Sequence, residues 1–228
     1  SVFRLLDALI MVSYLFSVIL LPLFSKMLKN KENLLPIIKS SFSLLFFFAI
    51  SAVVILVTYR TDVLNGLYHE HIQESSEVFK ILIPCLIPVS FTYIFGTLLT
   101  ANGSMKLLNI TALAGIAVNI IVNIILIPQM QARGAAFASL STQTLVSILQ
   151  IIIAFRILKI SWKIIPLLNC LLYLILLICG VYLIHEFIPL QWTYLILLST
   201  FYAFLTAFVT KLIPISFIKK IIFSKTQI

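Results

Sequence analysis

Charged side chains are scarce in this sequence. Asp, Glu, Lys and Arg make up 10% of its 228 residues, and acids are the rarer sign, with seven Asp and Glu against 16 Lys and Arg. Hydrophobic residues reach 62%, and the mean hydropathy is +1.18. These values lie outside the range of soluble globular domains, in which charged residues make up about a quarter of the chain. The composition therefore predicts a protein that resides in a lipid bilayer.

The motifs of nucleotide-driven transport and of hydrolytic catalysis are also missing. No glycine begins a G-x-x-x-x-G-K-[ST] loop, so the sequence offers no cradle for ATP phosphates. It has no pair of carboxylates within one predicted helix, no G-x-S-x-G elbow and no cysteine close to a histidine. We therefore predict no catalytic residue and no cofactor, and we expect that the protein is not an enzyme.

Disulfide and metal-binding patterns are absent as well. The three cysteines lie in apolar segments without metal-ligand spacing, which is typical of small hydrophobic core residues. His69, Glu70 and His71 fall in the most polar stretch, from Arg60 to Val78. Their spacing is not H-E-x-x-H and no third ligand is placed nearby, so we predict a solvated outer loop and no metal site.

The apolar residues are grouped into segments of about 20 residues, the length that spans a bilayer core as a helix. None of them alternates strictly enough to be a barrel strand. We predict an all-α, polytopic membrane protein with a bundle over residues 1–211 and a short amphipathic cytoplasmic tail, or a frayed terminus, over residues 212–228. The seven predicted helices are Val2 to Phe24, Pro36 to Tyr59, Phe79 to Thr100, Leu107 to Pro128, Gly134 to Phe155, Ile164 to His185, and Leu190 to Lys211.

Basic residues lie in short clusters between these segments and lack the aromatic interleaving of a nucleic-acid interface, so we expect membrane lipids as partners and no nucleic acid. Twelve of the 16 follow the first, third, fifth and seventh segments. The positive-inside rule assigns that side to the cytoplasm, which predicts an outside N-terminus at Ser1 and an inside C-terminus at Ile228. If the intact protein starts in the cytoplasm, an odd number of spans precedes this sequence.

Polar residues within the apolar segments follow helical spacing. Thr111, Gly115, Asn119 and Asn123 recur every four residues and predict one narrow stripe on the fourth helix. The fifth helix begins with small residues at four-residue spacing, which let membrane helices approach closely, and continues with a polar face that includes Gln143. These faces predict either contacts between helices or the lining of a wet cavity.

Two further features of the segments have both an ordinary and a functional interpretation. Pro84 and Pro88, one turn apart in the third helix, predict a kink that either serves as a hinge or is a common feature of membrane helices. Arg4 and Asp7, three residues apart in the first helix, predict an ion pair in the outer half of the bilayer. That pair is either structural or borders a cavity in which Arg4 attracts phosphate or acidic sugars.

The order Ala101-x-Gly103, Asn119-x-x-x-Asn123, Leu126-Ile127-Pro128 and then Gly134-Ala135-Ala136 at a helix start resembles the second half of the polysaccharide and O-antigen flippases. These carriers belong to the multidrug/oligosaccharidyl-lipid/polysaccharide exporter superfamily. A looser resemblance extends from the RLLDAL start, through LPLFSKM at the end of the first helix, to the last segment. It implies the second bundle of a two-bundle exporter, with five or seven helices of the intact chain upstream.

The resemblance implies a transporter of the cytoplasmic (inner) membrane that moves a polyprenyl-pyrophosphate-linked oligosaccharide for polysaccharide or O-antigen biosynthesis. The expected partners are that substrate, the N-terminal half of the same chain and polysaccharide polymerase machinery. The alternatives are a multidrug or peptidoglycan-precursor exporter of the same superfamily, and a membrane glycan polymerase or glycosyltransferase. Drug exporters tend to have buried acids, whereas Asp7 is the one acid at membrane depth in this sequence.

Overall fold

The computed structural model of the chain describes residues 2–67, 72–160 and 166–212, and all regular secondary structure in these ranges is helical. Its helices are α1 Val2–Lys29, α2 Leu35–Thr58, α3 Arg60–Leu67, α4 Ile72–Leu82, α5 Leu86–Ala101, α6 Met105–Met130, α7 Ala132–Ile157, α8 Leu167–Phe187 and α9 Trp192–Val209. A 3-10 turn, Ile83–Cys85, joins α4 to α5, so these form one interrupted span. Within the described ranges, seven helical spans are long and apolar enough to cross a membrane, which confirms the predicted all-α membrane fold.

Helix α5 lies at the centre of the bundle, with α1, α2 and α7 packed around it. The α6 helix packs mainly on α7, and the α8–α9 pair packs on α2. Buried side chains such as Phe24, Phe95 and Leu98 fill the space between the central helices. Hydrocarbon lipid is as apolar as these side chains, so close packing and interhelical hydrogen bonds hold the bundle together.

Buried hydroxyl groups supply several of those hydrogen bonds. Ser13 Oγ on α1 and Ser90 Oγ on α5 are 2.8 Å apart and buried. On the other side of the bundle, Ser51 Oγ of α2 lies 2.7 Å from the hydroxyl of Tyr173 on α8. Without such partners a buried hydroxyl would lose hydrogen bonds at a cost of a few kcal/mol, so these pairs fix which helix faces meet.

The prediction that Arg60 to Val78 forms a loop is wrong. Helix α3 occupies its first half, and the third span starts at Ile72 instead of Phe79. Although α4 is polar in composition, it is an amphipathic helix that buries Ser76, Phe79 and Leu82 on one side. Residues 68–71, which include the histidines considered as metal ligands, lie outside the described residues, as does the predicted tail from residue 213 onward.

Pro84 and Pro88 lie where the helical hydrogen-bond pattern of the third span changes, and the predicted kink stays a prediction. Pro84 lies within the 3-10 turn, where the α-helical hydrogen-bond pattern is interrupted, and Pro88 follows in the first turn of α5. A proline ring has no N–H to donate and collides with the carbonyl group four residues earlier. The first turn of a helix tolerates this best, because N–H groups there have no intrahelical acceptor. The third span is therefore divided into two helical parts.

Candidate substrate-cavity residues

Helices α6 and α7 pack closely along their length, and we call their contact surface the α6–α7 seam. A Cβ atom built on Gly134 would lie 2.5 Å from the carbonyl oxygen of Leu126, and one on Gly115 would lie 2.6 Å from Cγ2 of Val146. Ala136 and Ala138 of α7 are fully buried. The small residues at the start of α7 therefore permit the close approach that their spacing predicts.

The asparagine stripe of α6 lies in this seam. Asn119 donates from Nδ2 to Thr142 Oγ1 on α7 at 3.2 Å, and Asn123 donates from Nδ2 to Asn119 Oδ1 at 2.9 Å. Asn123 Oδ1 is buried without a hydrogen-bond partner among the described residues. The stripe therefore contacts a neighbouring helix, as expected, and it retains one unused acceptor within membrane depth.

Gln143 also lies at the α6–α7 seam, and it is more exposed than Gln150, which follows two turns later on α7. It is half-buried and lines an open groove of about 330 Å³ on the seam, together with Gly115, Asn119 and Thr142. Gln150 is 6% exposed and donates from Nε2 to Thr111 Oγ1 at 3.5 Å, while its Oε1 has no partner among the described residues. Gln143 is thus available to a ligand, and Gln150 is a buried polar group in the core of the bundle.

Gln150 lies seven residues after Gln143 on the fifth segment, and this spacing does not distinguish the two glutamines. A Cβ atom on Gly96 of α5 would lie 2.8 Å from Gln150 Oε1. The absence of a side chain at position 96 therefore makes room for the amide. Because that glycine is far from Gln150 in the sequence, only the packing of α5 on α7 reveals the relation.

Arg4 and Asp7 lie on the outer surface of α1, and both side chains are exposed. Among the described residues the one salt bridge joins His185 Nδ1 to Glu186 Oε1 at 3.8 Å, so the predicted Arg4–Asp7 ion pair is not formed. Helical spacing places the two side chains on one side of α1, but no neighbouring helix holds them together. An exposed pair contributes little stability, so nothing opposes their separation. The Arg4 guanidinium is therefore free to bind another group.

The charged candidates on α1 and the amide candidates on the seam lie apart. Helix α1 packs along α5, whereas Asn119, Asn123 and Gln143 lie on the seam at the α7 side of α5. The hinge candidates Pro84 and Pro88 line an apolar groove of about 390 Å³ between the third span and α7, with Phe91 and Leu140. The described part of the chain therefore places the charged and the amide candidates on different faces of one bundle.

Charges within the described ranges are divided between the two ends of the bundle. One end carries basic groups almost alone, at Lys26, Lys29, Lys31, Lys39, Lys106, Arg156, Lys159 and Lys211, with Glu32 as its acid. The opposite end carries both signs, with Arg4, Arg60, Lys80 and Arg133 beside Asp7, Asp62, Glu74, Glu77 and Glu186. No group of three or more His, Cys, Asp or Glu residues in the described ranges is arranged to hold a metal ion.

Comparison with known proteins assigns no family, since no protein-family model matches the chain and no curated protein matches it.

Proposed function

We propose that this chain is the second bundle of a membrane carrier that moves a polyprenyl-pyrophosphate-linked oligosaccharide across the cytoplasmic membrane. The order of sequence features from Ala101 to Ala136, which resembles the polysaccharide and O-antigen flippases, supports this proposal. The seven membrane-length helices are consistent with it. Transport then requires a path for a charged, hydrated glycan between this bundle and the other half of the carrier.

The observation that carries the proposal is the exposure of Arg4 and Asp7 on a membrane-length helix. A charged side chain at the centre of a bilayer costs about 2.5–3.5 kcal/mol on insertion scales, and less nearer the interface. Such residues therefore face protein or water in an assembled carrier. The outer side of α1 would then border the central cavity.

Each candidate residue has a role in this proposal. The planar guanidinium of Arg4 matches the geometry of phosphate oxygens and would attract the pyrophosphate group. Asp7 accepts hydrogen bonds, a capacity that suits sugar hydroxyl groups. Gln143 and the unused oxygen of Asn123 offer further polar contacts. The break at Pro84 and Pro88 would let the two parts of the third span change their relative angle during transport.

Replacing Arg4 tests the proposed contact with the substrate. In the full-length protein, we expect Arg4→Gln to lose most of its glycan export at normal membrane abundance, and Arg4→Lys to retain part of it, because an ammonium group keeps the charge but not the bidentate geometry. The measurement is surface glycan in a strain that depends on the carrier. Lys80→Gln is a matched control, since Lys80 is an exposed basic residue at the same end on another helix. If Arg4→Gln exports glycan at the parental level, Arg4 does not contact the substrate.

The asparagines of the seam provide an independent test. We expect the double change Asn119→Leu with Asn123→Leu to lower export several-fold while membrane abundance stays close to that of the parent. Hydrogen bonds between membrane helices contribute on average somewhat less than about 1 kcal/mol, and the substitution also removes an unpartnered oxygen. Asn109→Leu, an exposed position on α6, is the control. Export at the parental rate by the double variant would reduce the stripe to a packing contact.

A further inference from the structure

A small pocket of about 260 Å³ lies at the basic end of the bundle, where α2 and α8 begin and α9 ends. Two lysines line it, Lys39 from α2 and Lys211 from the residues just after α9. Ser40, Ser43 and Asn169 also line it, and no carboxylate of the described residues does. The pocket therefore has an uncompensated positive charge.

Two helix N-termini add to that charge. The residues Pro36 and Pro166, at the starts of α2 and α8, both line the pocket. Neither helix has an acidic residue in its first turn. At the start of α2 the Leu35 N–H donates to Asn33 Oδ1 at 3.0 Å, whereas α8 has no side-chain cap. On α8 the first amide to bond along the helix is that of Cys170, which donates to Pro166 O, so the preceding amides have no intrahelical acceptor. These N–H groups and the helix dipoles favour an anion.

Ser43 provides an independent indication of a ligand. It is 2% exposed and lines the pocket, yet its hydroxyl group has no hydrogen bond to any described residue. Some other buried serines in the bundle bond to the carbonyl group one turn earlier, as Ser51 does to Phe47 and Ser90 to Leu86. The hydroxyl group can therefore donate a hydrogen bond to an anion in the pocket.

The neighbouring surface is apolar and suits a hydrocarbon chain. Phe42 and Phe46 of α2 and Leu167 and Cys170 of α8, adjacent in sequence to the pocket residues, line an open groove of about 410 Å³. The rings of Phe42 and Phe91 are stacked in this groove with centroids 4.9 Å apart. A ligand with an anionic group and an apolar chain could therefore occupy both the pocket and the groove.

We propose that this pocket binds the phosphate group of an anionic membrane lipid, with an acyl chain in the adjoining groove. The charge of the two lysines, the free N–H groups at the start of α8 and the Ser43 hydroxyl select the phosphate. The position at the end of the spans favours a lipid over a soluble anion. The site is distinct from Arg4 and the seam, and the proposal is independent of the substrate that the carrier moves.

The test measures lipid binding by the purified full-length protein with native mass spectrometry in detergent. Phosphatidylglycerol is titrated against the parent, against Lys39→Gln with Lys211→Gln, and against Ser43→Ala. The control is Lys106→Gln with Lys159→Gln, which removes two charges from the same end outside the pocket. We expect at least about tenfold weaker binding for the Lys39 and Lys211 double variant, about threefold weaker binding for Ser43→Ala, and parental binding for the control.

A second arm separates the sources of phosphate. Sodium phosphate in millimolar excess should not displace phosphatidylglycerol, because it cannot fill the apolar groove. Equal loss of binding in the two double variants would mean that charge at this end attracts lipid without a site, and would overturn the proposal. Displacement by inorganic phosphate at concentrations similar to those of the lipid would assign the pocket to a soluble anion and would equally overturn it.

Discussion

Gly134→Val is expected to lower the thermal unfolding midpoint of the purified protein by about 6–12 °C and to reduce its yield in membranes. The new Cβ atom would lie 2.5 Å from the carbonyl oxygen of Leu126 and 2.6 Å from its carbonyl carbon, and these backbone atoms cannot move aside as a side chain can. Overpacking costs typically about 1–3 kcal/mol, and a backbone obstacle places this change at the upper end.

Two comparison variants make this result specific to the backbone contact. Ala132→Val adds a β-branched residue to the same first turn of α7 at an exposed position and should leave the midpoint nearly unchanged. Gly115→Ala meets side-chain atoms and no backbone atom of α7, namely Cγ2 of Val146 at 2.6 Å and Cγ2 of Thr142 at 3.5 Å. It should therefore cost less than Gly134→Val, about 1 kcal/mol. A midpoint for Gly134→Val equal to that of Ala132→Val would contradict the close approach of α6 and α7.

The second large effect is expected where α8 meets α9. A Cβ atom on Gly180 would overlap the ring of Tyr202, whose hydroxyl group donates to Leu176 O at 3.0 Å. Gly180→Ala must displace this ring and break that hydrogen bond, so we expect a loss of about 2 kcal/mol in the free energy of unfolding. Unfolding of the purified protein, followed by thermal shift or by denaturant titration, measures the change.

A double-mutant cycle identifies the ring as the cause. Adding Tyr202→Ala to Gly180→Ala should restore part of the loss, with a coupling free energy of at least about 1 kcal/mol. Tyr202→Phe removes the hydroxyl but keeps the ring, so it should not rescue Gly180→Ala. If the two alanine changes are instead simply additive, the ring of Tyr202 does not occupy the space beside Gly180.

Local sequence patterns predict most of the fold. Segment length and hydropathy predict the seven spans, because lipid excludes unpaired backbone groups and so dictates a helix wherever apolar residues continue. The four-residue spacing of Thr111, Gly115 and Asn119 likewise predicts a common face, which lies against α7. The prediction of a loop from Arg60 to Val78 is wrong because it rests on the polarity of this stretch and not on the helical spacing of Ser76, Phe79 and Leu82.

The candidate site was less accessible from the sequence, because it depends on contacts between distant segments. The three-residue spacing of Arg4 and Asp7 predicts a shared side of α1 but cannot say whether a neighbouring helix brings them together. Gln143 and Gln150, two turns apart on α7, differ because only Gln150 faces Gly96 of α5. Lys39 and Lys211 line one pocket although they come from opposite ends of the chain, which no local spacing indicates.

The spans differ in length in a way that affects how the bundle fits a membrane of given thickness. Helix α6 has 26 residues, or about 39 Å at 1.5 Å per residue, whereas α9 has 18 residues, or about 27 Å. A hydrocarbon layer of about 30 Å therefore matches an upright α9, but α6 must tilt by about 40° or extend beyond the layer. Its exposed end, Pro128, Gln129 and Met130, is partly polar and suits the headgroup region. The side of the bundle formed by α6 and α7 is thus adapted to a thicker bilayer than the side formed by α8 and α9.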